Sequence, residues 1–139
     1  MKIMISACLM GTNCKYNGGN NQNEKVLRLA AGNDVTAICP EVMGGMPTPR
    51  VPSEIVNGRV MTKDGRDVDR EFRSGAQKCL EIAEREKPDL IILQSRSPSC
   101  GVKQRDDGTF TGTLTDGRGV TADLLIKNGF HVIDLSEID

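Results

Sequence analysis

Three short runs, Ile3 to Ala7, Val35 to Ile38 and Leu90 to Leu93, are mostly apolar and free of charge, and stretches with helical periodicity separate them. A half-exposed strand alternates polar and apolar side chains, so continuous runs of this length belong to strands covered on both faces. Runs of that kind alternating with helices make βαβ units. They predict an α/β fold, a mainly parallel sheet of about four strands with helices on both faces. In such a sheet the carboxyl ends of the strands share one rim, and ligands bind there. Cys8, Cys39 and Cys100 lie at or beyond the carboxyl ends of these runs, followed by strand-stopping residues: Gly11, Pro40 and the Ser-Pro-Ser of Ser97 to Ser99. The pattern reads as three thiols brought to one site on loops at that rim.

Helical periodicity is clearest from Asp69 to Glu86, where Phe72, Ala76, Cys79, Leu80 and Ala83 form one stripe before Pro88 stops the helix. A shorter helix is predicted over Asn23 to Ala31, with Val26, Leu27, Ala30 and Ala31 inward and Gly32 as its stop, and a third over Val120 to Asn128, with Leu124 and Leu125 inward. Gly129 then leads into a last strand, Phe130 to Leu135. These elements fit one domain over residues 1–139, a length that buries a core without disulfides. The segment from Glu41 to Gly65 is too polar and too rich in Gly and Pro for core, and is expected to be a long functional loop. A small hairpin or lid is expected around Gly108 to Gly119.

Lys and Arg number 18 against 19 Asp and Glu with no basic block, so bulk charge points to neither nucleic acid nor a membrane surface. The apolar start breaks after about ten residues, short of a signal peptide or a membrane span. The expectation is a cytoplasmic protein. Its five cysteines, an odd number, then stay reduced and serve metal ligation, catalysis or burial.

Soft thiolate ligands select iron–sulfur clusters or zinc. Cys8 and Cys14 are separated by five residues, which matches neither compact ferredoxin nor zinc-ribbon spacing. Cys8 and Cys39 fit equally well as small buried hydrophobes at strand ends. Cys100 sits in the polar segment SRSPSCG, where a core thiol has little to pack against, and there the functional reading prevails. Cys79 lies on the inward stripe of its helix and reads as core. Cys14 is either a fourth zinc thiolate or a bystander in a loop near the site. His131 alternates with apolar neighbours and reads as structural or solvent-facing. Glu41, two residues after Cys39, puts a carboxylate beside any group held there, either for proton transfer or as a helix-capping or solvated side chain. Ser97 and Ser99 offer hydroxyls and amides, or simple turn chemistry, and neither has a neighbouring His to activate it. Arg50 is a candidate anion clamp. Gly117, Gly119 and Ala122 spell GxGxxA, but with one strand remaining the motif does not open a dinucleotide-binding unit.

Taken together, SACLMGTNCKYNGG, CPEVMGGMPTPRVPSE and SRSPSCG resemble the three signature segments of the small bacterial thiouracil desulfidases, and the resemblance spans essentially the whole chain. It implies a Rossmann-like domain carrying a [4Fe-4S] cluster on Cys8, Cys39 and Cys100, with the fourth iron open and Cys14 not a ligand. It also implies catalytic roles for Glu41 and Ser97. The substrates implied are thiolated uracils, namely 4-thiouracil, 2-thiouracil or 4-thiouridine monophosphate, converted to the oxo base with release of sulfide and no net redox change. Arg50, the Gly44 and Gly45 backbone and Ser99 are then candidate substrate-binding groups. Two readings of other classes stand beside this one. In the first, Cys8, Cys14, Cys39 and Cys100 close round zinc in a structural or interaction protein; in the second, an iron–sulfur cluster transfers electrons or carries sulfur.

Overall fold

In the computed structural model the apolar runs become adjacent strands of one sheet. Residues 1–138 are described; Asp139, the last residue of the expected domain, lies outside them. In chain order the elements are β1 (Lys2–Ser6), a 3-10 turn (Ala7–Met10), α1 (Glu24–Ala31), β2 (Asp34–Ile38), α2 (Pro40–Met43), β3 (Ser53–Val56), β4 (Arg59–Thr62), α3 (Asp69–Glu86), β5 (Leu90–Leu93), β6 (Gln104–Asp106), β7 (Leu114–Asp116), α4 (Val120–Lys127), β8 (Val132–Asp134) and a closing 3-10 turn (Leu135–Glu137). Four strands form the expected parallel sheet in the order β2-β1-β5-β8.

Alternation along β1 divides the core in two. Ile3 and Ile5 pack with Leu9, Val26 and Ile92 beneath α1. Met4 points the other way, into a cluster with Cys79, Leu80 and Ala83 of α3 and Leu125 of α4. Helices therefore cover both faces of β1 and β5, which is why these read as apolar runs, whereas the edge strand β2 is buried only at Ile38. Asn23 precedes α1, and its side chain accepts from the amides of Lys25 and Val26, an N-cap that sets where the helix starts.

The segment after Cys39 departs from the expected structureless loop. It contains α2 and the antiparallel hairpin of β3 and β4, whose Ile55 and Val60 join Met46, Val68, Phe72, Ala76 and Val120 in a further core cluster. The hairpin closes on Asn57 and Gly58, at φ of 49° and 79°, the left-handed pair that a tight two-residue turn requires. The expected hairpin in the 108–119 region is the β6–β7 pair, which begins earlier, at Gln104. His131 is exposed, one residue before β8, so the last strand is shorter than the apolar pattern indicated.

Close contact between α2 and α3 depends on glycine. A Cβ on Gly75 would lie 1.9 Å from the Pro40 carbonyl oxygen, and one on Gly44 would lie 2.0 Å from that of Glu71. Gly75→Ala is accordingly expected to destabilise the fold by about 1–3 kcal/mol despite its better helix propensity, because α2 must move off α3. Gly32→Ala meets nothing within 4 Å and is expected to stay within ~0.5 kcal/mol of wild type. Urea unfolding of both variants measures this; equal midpoints would show that α2 yields without cost.

Candidate active site at the carboxyl edge of the sheet

From β1 the chain runs outward to β2 and later returns to β5 on the other side of β1, which makes the carboxyl end of β1 a topological switch point. Cys8 stands in the 3-10 turn that follows β1, Cys39 caps the start of α2 after β2, and Cys100 ends the loop after β5. All three line one cavity of about 520 Å³, together with Cys14, Glu41 and Ser97. That volume falls within the ~300–1,000 Å³ usual for small-molecule sites.

The loop carrying Cys100 is held from below by α4. The amides of Val120, Thr121 and Ala122, which open that helix, donate to the carbonyls of Pro98 (2.8 Å) and Ser99 (2.8 and 3.1 Å), while Gly119 N donates to Gly101 O at 2.8 Å. A Cβ at Gly119 would lie 2.5 Å from the Ser99 carbonyl, so the GxGxxA residues serve this close approach and the first helical amides are already occupied. Ser97 Oγ accepts from the amides of Ser99 and Cys100, both at 3.0 Å. Its own hydroxyl hydrogen is left over to donate. Ser99 is fully buried, shares a 2.8 Å hydrogen bond with the Thr121 hydroxyl and does not line the cavity, so of the two serines Ser97 is the one positioned to meet a ligand.

Cys14 lies between two of the strand-end thiols. Its thiol, hydrogen-bonded to Cys8, holds the Cys8 pKa below its ordinary value against the opposing effect of burial. Cys39, hydrogen-bonded to the Cys14 thiol and partly buried, is shifted up. For Cys14 the Cys39 bond pulls downward, but the bond to Cys8 and burial outweigh it and the net shift is up. Cys100 is pushed up by burial and then by the Glu41 charge. Cys79 is fully buried in the core under α3, its Sγ 3.8 Å from Met43 Sδ and its pKa pushed up to about 12 by burial. It is not part of the cavity wall.

Glu41 comes from the first turn of α2, and its Oε1 accepts from Arg50 Nε at 3.1 Å. The Arg50 guanidinium, 4% exposed, also donates to Pro47 O (3.1 Å), Thr48 Oγ1 (3.0 Å) and Cys14 O (2.8 Å). With four of its five N–H groups engaged in this way, Arg50 joins the carboxylate to the Cys14 loop and orients both. Glu41 Oε2 has no donor among the described residues and remains open to solvent or ligand. Gly44 and Gly45 do not line the cavity; Gly44 serves the contact with α3.

Sequence reasoning left two features unplaced. The position of Cys14 between Cys8 and Cys39 depends on the path of a loop that no periodicity describes. Gln94, which also lines the cavity, carried a readable signal: it is the first polar residue after a buried strand ending on this rim. Among the described residues no three His, Cys, Asp or Glu side chains close round a point as a single metal ion requires. Three soft thiols lining one cavity are a donor set of the kind that holds an iron–sulfur cluster.

A family model described as 2-thiouracil desulfurase matches residues 3–137. The uncharacterized protein YbbK of Bacillus subtilis (strain 168) is 37% identical, the match covering 99% of this chain and 97% of YbbK. Among solved structures, the [4Fe-4S]-dependent thiouracil desulfidase TudS superposes with a TM-score of 0.93 at 36% identity, over 99% of this chain and 92% of TudS.

Proposed function

Because this chain belongs to the 2-thiouracil desulfurase family, we propose that it is an iron–sulfur-dependent desulfidase that hydrolyses thiolated uracil compounds to the oxo base and hydrogen sulfide. The observation that carries the reading is the meeting of Cys8, Cys39 and Cys100 with Glu41 and Ser97 on one cavity at the switch point of the sheet. Cys8, Cys39 and Cys100 are the residues that would hold a [4Fe-4S] cluster. When bound, the cluster supplies a Lewis-acidic iron without a protein ligand.

The chain's own groups divide the remaining work. Water enters and sulfur leaves as hydrogen sulfide, so the thiocarbonyl carbon keeps its oxidation state and no electron donor or acceptor is needed. Glu41, its Oε1 fixed by Arg50, takes the proton of the attacking water on Oε2 and returns it to the leaving sulfur. Ser97, its Oγ lone pairs occupied by two backbone amides, donates its hydroxyl hydrogen to the substrate. Arg50 has four of its five N–H groups engaged inside the protein and lines the cavity, so in this reading it offers a substrate phosphate a single bond from Nη2. Substrates are expected among 4-thiouracil, 2-thiouracil and 4-thiouridine monophosphate. Among the described residues no helix is long and apolar enough to cross a membrane, and a small pyrimidine or its nucleotide is the partner that the cavity suits.

Anaerobically reconstituted protein tests the reading. Equal amounts of sulfide and oxo base are expected from a thiolated uracil, with no added reductant or oxidant. A protein that holds a full cluster yet releases no sulfide from any of the three compounds would instead be an electron-transfer or sulfur-carrier protein.

A further inference from the structure

Three buried side-chain polar atoms lack a partner among the described residues: Glu71 Oε2, Gln94 Oε1 and Arg105 Nε. Of these residues only Gln94 lines the cavity. Its surroundings fix which end of the amide is unspent. The backbone N of Gln94 donates to Ser6 Oγ at 3.0 Å, and its Nε2 reaches Ser95 O at 3.4 Å, so the nitrogen faces the loop backbone and the oxygen is left over. An amide oxygen withdrawn from water regains nothing unless a donor meets it. Gln94 lines the cavity, so a turn of its terminal amide brings Oε1 to the donor of whatever occupies it.

We propose that Gln94 Oε1 accepts the N3–H of a thiouracil ring and is a specificity-determining residue of the substrate site. The inference rests on the desulfidase reading. N3 lies between C2 and C4, so its N–H adjoins the thiocarbonyl whichever of the two carbons carries sulfur. A ring placed with that sulfur toward Cys8, Cys39 and Cys100 presents N3–H to the wall beside them. Gln94 occupies that wall: its backbone amide donates to Ser6 Oγ, and Ser6 lines the same cavity as Cys8, Cys39 and Cys100. The same oxygen would face a lone pair in any ring with an unprotonated N3, so cytosine-type rings are rejected by repulsion as well as by a missing bond.

The test measures kcat/KM for sulfide release from 4-thiouracil and from N3-methyl-4-thiouracil by cluster-loaded wild type, Gln94→Ala and Gln94→Glu. Calorimetric binding of uracil gives a readout that needs no turnover. Wild type is expected to favour 4-thiouracil about a hundredfold or more. Gln94→Ala should lose about tenfold on 4-thiouracil and little on the methylated ring, so that its discrimination shrinks about tenfold, and it should bind uracil about tenfold more weakly. Gln94→Glu keeps an acceptor and should keep the discrimination. A Gln94→Ala protein that discriminates as strongly as wild type and binds uracil equally would overturn the proposal, Oε1 then having no part in recognition. Absence of sulfide release by wild type would overturn the desulfidase reading instead, and the uracil affinities of wild type and Gln94→Ala would then decide the recognition independently.

Discussion

Cys100→Ser is expected to leave the protein folded but unable to retain an iron–sulfur cluster, its iron and acid-labile sulfide falling to less than about a tenth of wild type after anaerobic reconstitution, because iron–sulfur clusters are held by thiolates. A serine hydroxyl is a harder and less acidic ligand than a thiol. The loop itself has no need of the sulfur: its shape is set by Ser97 Oγ receiving two amides and by the α4 amides bonded to Pro98 O and Ser99 O. The same loss is expected for Cys8→Ser and Cys39→Ser. Cys79→Ser should keep its iron, since Cys79 packs beneath α3 away from the cavity. Cys14→Ser should keep it too, a hydroxyl still being able to bridge toward Cys8 and Cys39. Iron content near wild type in Cys100→Ser, or a protein that takes up only zinc, would remove the basis for the cluster. Iron loss in Cys14→Ser would add a fourth group to the ligand set.

What could be read from the sequence divides along a physical line. Strands buried on both faces and an eighteen-residue amphipathic helix announce themselves locally, because burial imposes a composition on each run. For this reason the parallel sheet, α1, α3 and α4, and the positions of Cys8, Cys39 and Cys100 at strand ends could be anticipated. The β3–β4 hairpin was hidden because each strand has only four residues and one buried position in β3 is Glu54, which accepts from the amides of Gly108 and Phe110. Its Asn57-Gly58 turn was the available signal, and a stronger one than the Gly and Pro content that suggested a loop. Arg50 shows the other limit. An arginine in a polar segment reads as a free cation until the fold brings Glu41, Cys14 O, Pro47 O and Thr48 Oγ1 around it. Long-range closure of that kind leaves no periodic trace.

Glu41→Gln should bind the cluster as wild type does and lose about a hundredfold to ten-thousandfold in kcat, the range that a general acid–base group contributes. The substitution removes the charge and the exchangeable proton site while keeping the shape of the side chain. Its amide oxygen can still accept from Arg50 Nε, and Arg50 keeps its bonds to Pro47 O, Thr48 Oγ1 and Cys14 O, so the buried guanidinium is not left without partners. Position is thereby preserved, and the missing function is proton transfer to and from water. The loss should therefore appear in kcat with KM changed little, because the carboxylate acts on water and leaving sulfur rather than on the bound ring. Glu41→Ala separates the two roles of the residue, since it removes the acceptor of the Arg50 Nε bond as well as the charge and should lower the unfolding midpoint further than Glu41→Gln, which loses the charge alone. Sulfide release from 4-thiouracil, with iron content and urea unfolding measured on the same preparations, checks both variants. A Glu41→Gln enzyme that turns over at the wild-type rate with a full cluster would assign Glu41 a structural part beside Arg50 and leave proton transfer to Ser97 or to water.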